Sequence, residues 1–204
     1  MTRNPITAVR IVLWTAAVVG IIGAGWIYTT QSPAPNLANP LTVDQYGGGD
    51  YQLVDHTGQL FTYESFLGRP SIVFFGFTHC PDVCPMTLAE MMQWYTQLGD
   101  DGKSLDAYFV TVDPERDTLD VMASYVGWTE RVVGVTGEPA EIEKMVEAWG
   151  IHTSRVDLEG GGYNVDHTAS VLLIDADGGF FGTIAFREST DTAIAKLRRL
   201  VDEG

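Results

Sequence analysis

The chain has 204 residues, 45% of them hydrophobic, and a formal net charge of −15. That length fits one domain with a terminal extension, and the apolar content is enough for a sizeable core. Twelve Lys and Arg against 27 Asp and Glu leave no basic patch to neutralise phosphates, so nucleic acid is excluded as a partner. A cation or a basic protein surface suits this charge.

The first thirty residues stand apart. Arg3 and Arg10 are the only charges before Asp44, and Ile11 to Tyr28 (IVLWTAAVVGIIGAGWIY) carries none. At roughly 1.5 Å per residue, a helix of this run nearly crosses a hydrocarbon core of about 30 Å. Trp14, Trp26 and Tyr28 lie near its ends, where aromatic belts form. Arginine upstream and acid downstream put the amino terminus in the cytoplasm. We therefore expect residues 1–30 to be a single-pass anchor in the inner (cytoplasmic) membrane, with the C-terminal domain in the periplasm of a bacterial cell. A cleaved signal peptide is the competing reading; the run is longer than a signal core and no clean A-x-A site follows. Either way the domain meets an oxidising compartment, where a close thiol pair is oxidised unless something reduces or metallates it.

Residues 31–49 (QSPAPNLANPLTVDQYGGG) read as a Pro-, Asn- and Gly-rich linker. The domain then spans 50–204. Asp50 to Phe66 predicts a hairpin turning at His56-Thr57-Gly58, which makes His56 a turn residue. Ser71 to Phe77 (SIVFFGF) is a buried strand and Leu88 to Leu98 a helix. Asp106 to Val112 is a second strand, ending in the turn DPERDT, Asp113 to Thr118. A short helix, Leu119 to Val126, precedes a third strand, Arg131 to Thr136. A helix then runs to Trp149, with Ile142, Met145, Val146 and Trp149 on one apolar stripe. His152 to Asp166, with Gly160-Gly161-Gly162 at its middle, reads as a mobile polar excursion. Ala169 to Ile174 is a fourth core strand, Asp177-Gly178-Gly179 a turn, and Phe180 to Phe186 an edge strand. Ser189 to Val201 is a capped closing helix. This order predicts a mixed sheet with helices on both faces, an α/β thioredoxin-like fold with an N-terminal transmembrane helix.

The only two cysteines, Cys80 and Cys84, sit where the first core strand gives way to a helix. The positive end of a helix dipole lowers a thiol pKa, and thiolates serve both redox exchange and soft-metal binding. Four residues apart on a helical turn, both sulfurs can face one point. An ordinary structural disulfide is the bland alternative, but so small a closed loop would constrain the unfolded chain little. Where thioredoxin-like oxidoreductases carry a proline before the third core strand, this chain has Asp166-His167-Thr168. Two thiolates and one imidazole suit Cu(I), Cu(II) or Zn(II), and the lack of a third cysteine argues against a closed structural zinc site. His79 in an extended chain points away from Cys80, and His152 reads as a surface residue. Met86, Met91 and Met92 offer thioether sulfur, although Met91 and Met92 suit helix packing better.

Three ordered motifs, GFTHCPDVCP, VTVDPERDT and YNVDHTASVLLID, resemble the Sco/SenC family of copper proteins. The resemblance covers nearly the whole chain beyond the linker. It implies a thioredoxin-like fold and a role in assembling the binuclear Cu-A site of cytochrome c oxidase, with copper on Cys80, Cys84 and His167. The implied partners are the oxidase subunit carrying Cu-A, the membrane through the N-terminal helix, and a periplasmic copper donor or thiol reductant. Two further functions stay open. The pair can work as a redox-active disulfide, in a reductase that keeps the oxidase copper-site cysteines reduced. A peroxidase or redox sensor is the third reading, because similar D-P-x-x-D turns occur in peroxide-reducing folds.

Overall fold

The structure, a computed structural model, describes residues 46–204. The expected anchor and all but the end of the expected linker lie outside them. Among the described residues no helix is long and apolar enough to cross a membrane.

The chain is packed from Tyr46 onward. The Tyr46 hydroxyl donates to the Trp149 carbonyl at 2.6 Å, and the Gly47 amide donates to Ala148 O at 2.9 Å. Gly47 has φ +84°, and a Cβ there would lie 2.2 Å from the Trp149 ring. Residues 46–49, read from composition as linker, are therefore the docked start of the domain.

A short hairpin follows, β1 (Leu53–Asp55) and β2 (Leu60–Phe61), turning where expected. The His56 amide donates to Gly134 O at 2.7 Å, and its Nδ1 accepts from Gly134 N at 3.0 Å. This histidine is thus a turn residue that also ties the hairpin to the sheet. The core strand β3 (Ser71–Gly76) is buried along its whole length. Its side chains alternate, Ile72 and Phe74 entering one core and Val73 and Phe75 the other. A strand covered on both faces reads as a continuous apolar run rather than an alternating one. β4 (Asp106–Thr111) and β5 (Val132–Thr136) lie parallel to β3, joined through α1 (Val83–Leu98) and α2 (Leu119–Val126). α3 (Pro139–Ala148) follows, then a separate two-stranded sheet, β6 (Thr153–Asp157) and β7 (Tyr163–His167). β8 (Val171–Ile174), β9 (Phe180–Ile184) and α4 (Thr190–Glu203) complete the domain.

The main sheet has the order β2-β1-β5-β4-β3-β8-β9. Residues of α1, α2 and α4 fill the core on one face; Ile142, Met145 and Val146 of α3, with Trp149, fill the other. This is the expected mixed α/β thioredoxin-like architecture. Two further stretches differ from expectation. α1 begins at Val83, five residues early, because Pro85 falls in its first turn, where a missing N–H costs nothing. The stretch expected to be a mobile excursion is an ordered antiparallel hairpin with Thr153 opposite His167 and Asp157 opposite Tyr163.

Candidate metal centre

The register of β3 and β8 builds the site. The two strands run antiparallel with Phe74 opposite Val171, so the approach to β8 arrives at the exit of β3. His167 ends β7 and lies on that approach; it does not open the next strand, as its sequence position suggested. Cys80 stands in the loop after β3 and Cys84 in the first turn of α1. The ligand atoms of Cys80, Cys84 and His167 all lie within 4.8 Å of one another.

Both cysteines are free thiols, Cys84 fully buried and Cys80 half-buried. Cys80 precedes the helix, so the two sulfurs do not share a helical face. The loop folds back instead: the Cys80 amide donates to Phe77 O at 3.2 Å and the Cys84 amide to Cys80 Sγ at 3.4 Å. The helix terminus was expected to lower the thiol pKa. Burial pushes the Cys84 thiol up instead, with a backbone hydrogen bond from Phe77 offsetting part of the effect.

His167 is held with one nitrogen free. Its Nδ1 lies 2.9 Å from the Thr168 carbonyl. A carbonyl only accepts, so Nδ1 carries the proton and Nε2 keeps its lone pair. That Nε2 points at Cys84 Sγ, 3.6 Å away. Burial lowers the His167 pKa and so favours the neutral, ligating form. The ring packs edge-on against Phe74 and Phe77, with centroids 5.9 Å and 5.8 Å away.

The loop carrying Cys80 is pinned by a carboxylate that the sequence reading left in a turn. Asp117 is fully buried. It accepts from the Thr78 amide at 3.0 Å, the Thr78 hydroxyl at 2.6 Å and the Thr111 hydroxyl at 2.6 Å. Gly76 is a second residue that sequence reasoning missed. A Cβ on it would lie 2.9 Å from Cys84 Sγ and 2.7 Å from Phe109 Cε2, so only glycine leaves room for the sulfur. An isolated glycine inside a strand was the available signal.

Four of the remaining candidates stand elsewhere. His79 is exposed, with Nδ1 3.9 Å from Asp117 Oδ1, and is not grouped with the thiols. His152 is exposed at the base of the β6–β7 hairpin. Met91 is fully buried in the core, and Met92 packs against it.

The SCO1/SenC family model matches residues 40–202. The chain belongs to the SCO1/SenC family. Protein SCO2 homolog, mitochondrial, of Danio rerio is 37% identical over 97% of this chain and 75% of its own length. Among solved structures, Bradyrhizobium japonicum ScoI with copper bound matches with a TM-score of 0.69 and 38% identity, covering 75% of this chain and 98% of that one. Yeast Sco1 with copper bound matches with a TM-score of 0.70 and 30% identity, covering 77% of this chain and 89% of that one. These matches agree with the α/β fold described above, and the two solved structures named here have copper bound. The donor set of two thiols and one imidazole fits that metal by its softness.

Proposed function

We propose that Cys80, Cys84 and His167 bind one copper ion, in the Cu(I) or Cu(II) state, and that the domain delivers it to the Cu-A site of a cytochrome c oxidase subunit. The observation that carries this reading is the convergence of three suitable donors from separate parts of the chain within 4.8 Å. Copper here is cargo. A three-donor site at the domain surface, with one half-buried thiol, leaves the ion open to an incoming ligand. Copper-bound relatives at 38% and 30% identity support the choice of metal.

The same reading assigns Ile11 to Tyr28 to a membrane anchor that holds the domain on the periplasmic side, near the oxidase. Its support is the uncharged run and its aromatic ends. A tether raises the effective concentration of the domain at its target, so a modest affinity suffices.

A second reading is favoured by the closeness of the two free thiols. Oxidised together, they form a Cys80–Cys84 disulfide and pass two electrons and two protons to a target disulfide, leaving the oxidase copper-site cysteines reduced. A disulfide has no thiolate to offer copper, so the two activities exclude each other in one molecule at one moment.

Titration of the reduced protein with Cu(I) and with Cu(II) tests the reading. One equivalent bound by the dithiol form and none at this site by the verified disulfide form are expected. Tight one-to-one binding by the disulfide form would contradict the assignment of the cysteines.

A further inference from the structure

The hairpin that carries His167 shares no backbone ladder with the main sheet. A lone two-stranded ribbon is marginal by itself, so side chains must seat it. Tyr163, Val165 and His167 alternate along β7 and face the domain together. Val165 enters the core, His167 meets the thiols, and Tyr163 meets the loop Asp113–Asp117.

The Tyr163 contact is unusually dense. The Arg116 guanidinium carbon lies 3.7 Å from the Tyr163 ring centroid, and that of Arg155 lies 3.5 Å from it. One phenol ring is held between two cations, which its electron-rich faces attract. The Tyr163 hydroxyl donates to Asp113 Oδ1 at 2.7 Å. Arg116 donates through Nη1 to the Tyr163 carbonyl at 3.0 Å, and its Nε pairs with Asp113 Oδ2. Arg116 also lies 5.8 Å from the Phe77 ring centroid, and Phe77 packs on His167.

We propose that Arg116 and Tyr163 are positioning residues for His167: the arginine-tyrosine-arginine clasp seats the β6–β7 hairpin and so holds the imidazole on the cysteine pair. The proposal rests on the copper reading for its consequence, because a hairpin released at Tyr163 carries a ligand away from the metal. Tyr163 and His167 are four residues apart on one strand, about 13 Å at roughly 3.3 Å per residue. Metal bonds tolerate errors of only about 0.2 Å, so a slight tilt of that strand is enough to disrupt ligation.

The test uses the full-length chain, with histidine-selective labelling in the metal-free state and Cu(I) alone as the probe. Phe74 and Phe77 impose ring-current shifts on the His167 ring protons; Tyr163→Ala is expected to move those resonances toward solvent-exposed values. It should also weaken Cu(I) binding about tenfold to a hundredfold, the usual effect of losing a ligand's support. Combined with His167→Ala, it should cost no further affinity, which a merely structural role would not produce. Unmoved His167 resonances, or an additive loss in the double variant, overturn the proposal. If His167→Ala alone leaves Cu(I) affinity intact, the copper reading fails instead, and the metal-free resonances still decide whether Tyr163 seats the ring. Should Tyr163→Ala not fold, Arg155→Ala removes one face of the sandwich from an exposed strand and must move the same resonances in the same direction.

Discussion

His167 Nε2 stands 3.6 Å from Cys84 Sγ while the Nδ1–H of the same ring is tied to the Thr168 carbonyl. The tautomer that a metal needs is thus set before any metal arrives. The outer partner is the backbone of the next residue, so it cannot be lost by substitution of a side chain. The imidazole waits beside the buried thiol, and the more accessible Cys80 is the natural point of entry for an incoming ion.

His167→Ala should weaken copper binding and also cost the metal-free domain about 1 kcal/mol. The packing of His167 on Phe74 and Phe77 gives it a measurable share of stability. Urea unfolding of the metal-free variant and a chelator competition with Cu(I) check the two parts separately.

Asp117→Ala should damage the fold around the thiol loop. It leaves the Thr78 amide and hydroxyl and the Thr111 hydroxyl without their acceptor. The cost should be about 3 kcal/mol, from one buried and two partly buried donors that lose this acceptor. Denaturant midpoints give the stability, and Cu(I) competition shows whether the freed loop still presents Cys80. Wild-type stability would mean that water replaces the carboxylate without loss.

Gly76→Ala should destabilise the domain by about 1–3 kcal/mol, the range for overpacking a dense core. The new methyl has the rigid Phe109 ring on one side and Cys84 Sγ on the other. The sulfur gives way more easily, so copper affinity should fall together with stability. The charge-transfer absorbance of a Cu(II)-thiolate, shifted or weakened relative to wild type, reports that displacement.

The raised pKa of Cys84 has a sign that can be followed. Folding favours the protonated thiol, so its contribution is intact below the unfolded thiol value of about 8.5 and declines as pH rises above it. Metal-free protein should therefore lose stability on the alkaline side of that value, and Cys84→Ser should lose less over the same interval. Alkylation near neutral pH should modify half-buried Cys80 before buried Cys84, as mass spectrometry of partial digests would show. Equal labelling rates would mean that the thiol loop opens readily in solution.

Much of this protein is legible in its residue order. SIVFFGF is a short apolar, aromatic and β-branched run and is the strand covered on both faces that it was read as, and the helix Leu119–Val126 follows the Asp-Pro turn where the residue order puts it. The thiol pair and the histidine stood out as candidate ligands because cysteine is so scarce here and because a histidine stands where a proline was expected. The hairpin was missed although YNVDH alternates strictly; three glycines beside it drew the reading toward a mobile loop.

What the sequence determines by itself is local: which runs are buried, where the chain turns, and which side chains carry soft donors. Convergence belongs to the tertiary structure. Cys84 and His167 are 83 positions apart, and they meet because β8 runs antiparallel to β3 in one particular register. The thiol pKa was decided there too. Desolvation sums every apolar neighbour that packs around the sulfur, and for Cys84 that burial pushes the thiol up.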